Sequence, residues 1–286
     1  VTSFLNELAK QLAGKWVSLL VVPGALFVAA VTVGWRIRFG KWPGDERFVA
    51  ELKQGTASGG QLAAAVLGAL LLSVCAGLLA HGAGRAVHWL WLGQWPGRTG
   101  EALTGRRRRR WEGAQDRYEQ AYRQGQPDEV LAHLAYRRNR IALAPPTRPT
   151  HMGDNIAALS IRVRLEYGLD LEFGWPRLWL VLPEETRAVL DEGKDAFNRA
   201  ATLAGWGVLY ALAGAVWWPL GLAGLGTIFT AIVRGRSAIM NLAQLMESAV
   251  DLHGADLATS LGIPVPDGRV TPEIGREVTR VVRKGA

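Results

Sequence analysis

Residues 61–80 read QLAAAVLGALLLSVCAGLLA, twenty residues without a charge. Two kinds of helix have this composition. One is buried in a large soluble core. The other crosses a bilayer, whose hydrocarbon layer of ~30 Å takes about 20 residues at ~1.5 Å each. The rest of the chain favours the second. Residues 17–35 and 200–233 are likewise almost free of charge, whereas 98–198 is rich in Arg, Asp and Glu. A single globular core does not segregate its composition in this way, but a membrane protein with an aqueous domain does. Among the twelve tryptophans, Trp16, Trp35, Trp89, Trp91, Trp95, Trp217 and Trp218 fall near the ends of apolar runs. Indole settles there because the headgroup level accommodates both its apolar face and its N–H.

Working outward from 61–80 divides the chain. In residues 1–16, Phe4, Leu8, Leu12 and Trp16 recur every four positions with polar residues between them. That is the pattern of an amphipathic surface helix rather than of a cleavable leader. Residues 17–35 make a first span, in which Pro23 frees a backbone carbonyl and predicts a kink. A polar loop, 36–60, precedes the second span, which is expected to continue as helix to about Leu92. Residues 200–218 form a third apolar run, and 220–233 a fourth beyond Pro219. The fourth, with 14 residues, is short, so a full span and a re-entrant segment both remain open. Apolar positions between 236 and 262 recur at helical spacing, Pro264 and Pro266 break the pattern, and a basic tail follows. The expected fold class is all-α: an integral membrane protein with four transmembrane helices as two hairpins, 17–92 and 199–235. A helical cytosolic domain, 93–198, lies between them, and 236–286 is a C-terminal helical segment with a basic tail.

Small residues recur every fourth position along two of the spans. Ala65, Ala69, Ser73 and Gly77 form one ridge, and Gly207, Ala211 and Ala215 the other. Small side chains let helix backbones approach closely in lipid, which predicts tight packing within a subunit or between copies. An i+4 row drifts by about 40° per step, so each ridge winds around its helix.

Arg106, Arg107, Arg108, Arg109 and Arg110 stand in one run. Four spans place both termini and the 93–198 segment on one side, and basic residues close to span ends keep that side cytoplasmic. The run therefore reads as a topology determinant that touches anionic lipid, at ~1 kcal/mol per basic residue. The basic residues of the 36–60 loop oppose this topology, but the larger excess lies on the other side. A nucleic-acid interface would need interleaved aromatics or a recognisable module. Trp111, Ala114, Tyr118 and Tyr122 instead fit one packed face of a helix over 102–125.

In the middle segment, Pro127-Asp128-Glu129 opens a helix that ends near Arg140, and 144–150 is an extended connector. Residues 161–173 alternate apolar and polar as a hairpin would. Ile156, Leu159, Val163 and Tyr167 equally fit a helix ending at Gly168. The preferred reading is helix to 167, then an extended segment, then a helix from Leu182-Pro183-Glu184-Glu185 into the third span.

Pro149-Thr150-His-Met-Gly153, Tyr167-Gly-Leu-Asp170, Trp175-Pro-Arg-Leu-Trp179, Leu182-Pro183 and Asp251-Leu-His-Gly-Ala-Asp256 resemble stretches of a group of actinobacterial multi-pass membrane proteins. The resemblance covers roughly the C-terminal half and the opening of the first span. It implies a helical membrane architecture and a bacterial source. It implies no activity and carries over no functional residue.

The sequence holds no glycine-rich phosphate loop, Gly-x-Ser-x-Gly, paired Cys-x-x-Cys or His-Glu-x-x-His, so no cofactor or metal is expected. His81, Arg85 and His88 recur along one helix at the membrane boundary and make a candidate interfacial site for lipid or a partner. Asp251, His253 and Asp256 are a weaker metal candidate. Asp, Glu and Lys are absent from 17–34, 62–80 and 200–233, which argues against a pump or ion-coupled transporter. The expectation is a non-enzymatic protein of the bacterial cytoplasmic membrane, with both termini cytoplasmic. It would self-assemble as a homo-oligomer in a bilayer containing anionic lipid and present its cytosolic domain to a protein partner, as an anchor or signalling scaffold. The alternative is a homo-oligomeric ion channel or membrane-perturbing effector. An enzyme acting on lipid through His81, Arg85 and His88 is the third reading.

Overall fold

The computed structural model describes residues 21–38 and 59–284. The surface helix expected over 1–16 and most of the 36–60 loop lie outside them. The elements are α1 (Val22–Arg38), α2 (Gly59–Leu92), α3 (Arg98–Arg123), α4 (Asp128–Asn139), α5 (His151–Tyr167), α6 (Leu171–Val181), α7 (Glu184–Ala213), α8 (Trp218–Ser260) and α9 (Pro272–Val282). Among the described residues there is no strand, so the chain is all-α. It divides into two compact units, 1–87 with 199–233 and 88–198 with 234–286.

The helices of the first unit meet through small residues. A Cβ on Gly24 of α1 would overlap the carbonyl of Ser73 on α2. One on Gly205 of α7 would overlap the carbonyl of Ala80, and one on Gly224 of α8 the backbone nitrogen of Ala211. The buried stripe of α2 is Ser73, Ala76, Gly77, Ala80 and Gly84. Ala65 and Ala69, from the same four-residue row, are exposed, because the row winds away from the packed face. Phe27, Trp206 and Tyr210 fill the space beside this stripe, with the Phe27 ring edge-on to Tyr210 at 5.1 Å between centroids. At the α7–α8 turn, the Arg38 guanidinium donates to the carbonyls of Ala215 and Val216, and Trp217 covers Gly34.

α8 is one helix of 43 residues. The fourth apolar run and the amphipathic stretch after it are therefore continuous, with no break at Arg234. Gly235 sits inside the helix against the ring of Trp91.

The second unit has a conventional core. Leu159, Val163, Leu178, Leu182, Leu190, Val250, Leu257 and Val278 bring together α5, α6, α7, α8 and α9. Local signals set the ends of its helices. The Thr150 hydroxyl accepts the N–H of Gly153 at the start of α5, and Gly168 ends it at φ 66, a left-handed conformation that suits glycine. The Asp170 carboxylate then accepts the N–H of Glu172 and opens α6. The extended segment expected after Gly168 is thus only a short link. The alternating charges do not pair with each other across a hairpin either. Arg162 reaches to α8 and donates from Nε and Nη2 to Glu247 at 2.9 and 2.6 Å, which holds that carboxyl below its usual range.

Residues read as a basic tail form α9 instead. The Thr271 hydroxyl caps it and Pro272 occupies its first turn. Val278 and Val282 are buried in the core, Gly275 lies against the carbonyl of Tyr167, and Arg283 is paired with Asp170.

The glycine contacts give a direct test. Gly205→Ala or Gly224→Ala forces two backbones apart, and each should lower stability in detergent by about 1–3 kcal/mol. Gly226, with open space where its Cβ would be, should tolerate alanine with a change below about 1 kcal/mol. Thermal unfolding followed by circular dichroism reads the difference.

Candidate functional site

The most polar buried cluster surrounds Asp154, in the first turn of α5. Only 6% of this residue is exposed. Its Oδ1 accepts the N–H groups of Thr147 and Arg148 at 2.9 and 2.8 Å, which folds the 144–150 connector back over the helix start. Its Oδ2 lies 2.8 Å from Nη2 of Arg107 in an ion pair and accepts no hydrogen bond among the described residues. Arg107 also donates to the carbonyls of Ile141 and Arg148 at 2.8 and 3.2 Å. Burial pushes the Asp154 carboxyl up, against the pull of Arg107 and the two N–H groups. Burial also pushes the Arg107 guanidinium down, against the pull of Asp154. Both directions describe charges that lose more hydration than their mutual attraction returns.

The same connector receives the end of α2. The Thr150 hydroxyl donates to the carbonyl of Trp91, and a Cβ on Gly153 would overlap that of Leu92. Carbonyls in the last turn of a helix have no partner within it, and here threonine supplies one. Pro149-Thr150-x-x-Gly153 is therefore a seat for the C-terminus of α2.

His151 completes the cluster. Its Nδ1 accepts from the Asn155 amide at 3.0 Å, so the proton of the neutral ring sits on Nε2. Burial comes first, and the positive charges of Arg236 and Arg107 second, in holding His151 below the usual histidine range; Asp154 opposes them. With Asp154 Oδ1 bonded to the connector, Oδ2 paired with Arg107 and His151 Nδ1 bonded to Asn155, the cluster is a clamp.

The structure scatters the other candidates. Arg107 leaves the expected lipid-facing run and turns inward, while Arg106, Arg108, Arg109 and Arg110 are exposed and Arg108 pairs with Glu112. Helical geometry causes this split. Arg107, Trp111, Ala114, Tyr118 and Ala121 follow one face of α3, where Ala114 and Ala121 are buried and the Trp111 indole donates to the carbonyl of Ala142. Tyr122 is exposed and stacks beside Tyr118. His81 lies 3.0 Å through Nδ1 from the carbonyl of Gly77 in its own helix. Arg85 is exposed, and the His88 ring packs on Phe197 at 5.0 Å between centroids. These three share no polar partner among the described residues. Gly207 is buried, Ala211 half-buried and Ala215 exposed.

His253 bonds Asp256, but Asp251 turns to the Tyr167 hydroxyl at 2.8 Å. Burial and this carboxylate push Tyr167 up to about 12. Among the described residues no three metal-ligating side chains converge.

The pairing of Arg107 with Asp154 spans 47 positions of sequence and has no signature in spacing. No family model, curated protein or solved structure matches the chain.

Two predictions follow from the clamp. Arg107→Ala strands a buried carboxylate and should cost about 3 kcal/mol, whereas Arg109→Ala should stay within ~0.5 kcal/mol; denaturant unfolding separates them. The second concerns pH. A histidine held below its ordinary value is protonated first in the unfolded chain, so its neutral form stabilises the fold above the unfolded value and that stability is lost as pH falls through it. Asp154 acts in the opposite direction, but at the lower pH of carboxylates. Between pH 7.5 and 6 the native protein should therefore lose more stability than His151→Gln, read as the change in unfolding midpoint.

Proposed function

We propose that the first unit lies in a bilayer and that the chain is a non-enzymatic membrane anchor or scaffold. One observation carries this reading. Ala63–Leu92 has a mean hydropathy of 2.4 over its most apolar stretch, yet only 22% of that stretch is buried within the chain. A core helix of a soluble protein would be mostly covered. Here Leu67, Leu71, Leu72, Leu78 and Leu79 are each more than half exposed. At ~25 cal/mol per Å2, such a surface is costly to leave in water and is well served by lipid.

Further features support the arrangement. On α8, Trp218, Leu222, Leu225 and Phe229 also face outward. In this reading α1, α2, the 199–213 part of α7 and the 218–233 part of α8 are four spans in two hairpins. The last two are short, about 21–24 Å, so the second hairpin reaches the interface by continuing past Arg234, whose side chain snorkels. The second unit, with its own core and charged surface, is the part presented to water. The exposed arginines of α3 favour the cytoplasmic side for it, in a bacterial cytoplasmic membrane that includes anionic lipid. Ala65 and Ala69, exposed among the described residues, are left for packing against a second copy.

Expressed in bacteria, the full chain should remain in membranes washed with alkaline carbonate. An Arg109→Cys variant in a Cys75→Ser background should react with an impermeant maleimide in inside-out vesicles and not in intact spheroplasts. Release by carbonate would remove the bilayer reading, and labelling from outside would invert the topology.

A further inference from the structure

α3 and α4 form a helical hairpin closed by a turn in which Gly125 adopts φ 65. Between them opens a cleft of about 350 Å3, lined by Ala114, Arg117, Leu134, Arg137, Arg140 and Ile141. That volume falls within the ~300–1,000 Å3 of small-molecule sites. Its chemistry is one-sided, because three arginines and three apolar residues line it and no carboxylate does.

None of the three arginines is in an ion pair among the described residues. Arg117 donates from Nε to the carbonyl of Gly113 at 2.7 Å. This ties the side chain back along its helix and leaves its terminal nitrogens without a protein partner. Arg140 lies over the Tyr136 ring at 6.0 Å, a contact that fixes its position and uses none of its donors. Arg137 makes no hydrogen bond to protein among the described residues. Nearby arginines are engaged differently. Arg107 pairs with Asp154, Arg108 with Glu112 and Arg123 with Glu119, and Arg138 donates to Gln115 and Asn139. Glu112 and Glu119 pair along α3 with Arg108 and Arg123, and three like charges line the cleft, an arrangement that favours entry of an anion.

We infer that this cleft binds a phosphate or pyrophosphate group carrying a small apolar body. Phosphate matches the planar fork of arginine, which can donate two parallel hydrogen bonds to a pair of its oxygens. Arginines from both helices can then share one multiply charged group. Ala114, Leu134 and Ile141 supply the apolar contact. The site lies wholly within the second unit and does not depend on the membrane reading. A phosphorylated lipid headgroup and a soluble organic phosphate share this chemistry.

The test is titration calorimetry on the full chain in detergent. Three probes serve: sodium pyrophosphate, dihexanoyl phosphatidate, and dihexanoyl phosphatidylcholine as a lipid whose phosphate is masked. Binding of pyrophosphate or phosphatidate, weakened at least tenfold by Arg137→Gln and by Arg117→Gln and unchanged by Arg109→Gln, supports the site. Phosphatidate binding more tightly than pyrophosphate assigns a lipid source, and the reverse order a soluble one. Binding should weaken as salt rises. No binding of either phosphate, equal binding of phosphatidylcholine, or loss shared equally by Arg109→Gln would overturn the proposal. The replaced side chains are exposed, so the variants should unfold at the native midpoint. A variant that does not is replaced by Arg140→Gln.

Discussion

The outward face of α2 sets the terms for the rest of the chain. Its leucines project away from the described helices that pack on it, because α1 and α7 fill the inner stripe of Ser73, Ala76, Gly77 and Ala80. An apolar face left open by the described helices calls for a cover, which in the proposed reading is lipid. Several other features make sense under that constraint. The first unit is held by glycine and alanine contacts at backbone distance, the kind of packing that works where the surroundings are as apolar as the side chains. Among its described residues Ala76, Ala80 and Trp206 form a buried cluster, in contrast to the leucine-rich core of the second unit.

The second unit is organised around a different demand. The end of α2, the 144–150 connector and the start of α5 bring several unpaired backbone groups to one place. Asp154, Thr150 and Arg107 satisfy them in turn. These residues look catalytic as a list, since a carboxylate, a histidine, a hydroxyl and an arginine lie within one short region. Their geometry gives each of them a structural contact. Asp154 Oδ1 accepts two backbone N–H groups and Oδ2 is ion-paired with Arg107, His151 accepts from Asn155, and Thr150 is committed to Trp91 and Gly153. The cluster fixes a helix entry, and the charges left over lie elsewhere, around the α3–α4 cleft.

Much of the fold was legible because short-range chemistry wrote it. Pro127-Asp128-Glu129 opens α4, and Thr150 and Gly168 bound α5, all through contacts within a few residues. The missed elements depend on distant partners or on a competing pattern. The alternation at 161–173 imitates a strand, and only Asp170 as a cap reveals α6. Thr271-Pro272-Glu273 is a good helix start, yet the arginines after it drew attention from Val278 and Val282. The five-arginine run was read as a unit of composition, whereas the helix sorts it by angle and sends Arg107 inward. Neither that ion pair nor the cleft formed by Arg117, Arg137 and Arg140 is visible in spacing, because each joins separate segments that meet only in the folded chain.

The central claim concerns what covers α2, and nitroxide accessibility along 63–92 tests it most directly. Single spin labels, introduced into the Cys75→Ser protein in liposomes, are read against dissolved oxygen and against a water-soluble nickel chelate. Labels at Leu67, Leu71 and Leu78 should be open to oxygen and closed to nickel, while labels at Ala76 and Ala80 should be closed to both. Nickel access at the three leucines would place that face in water and contradict the account.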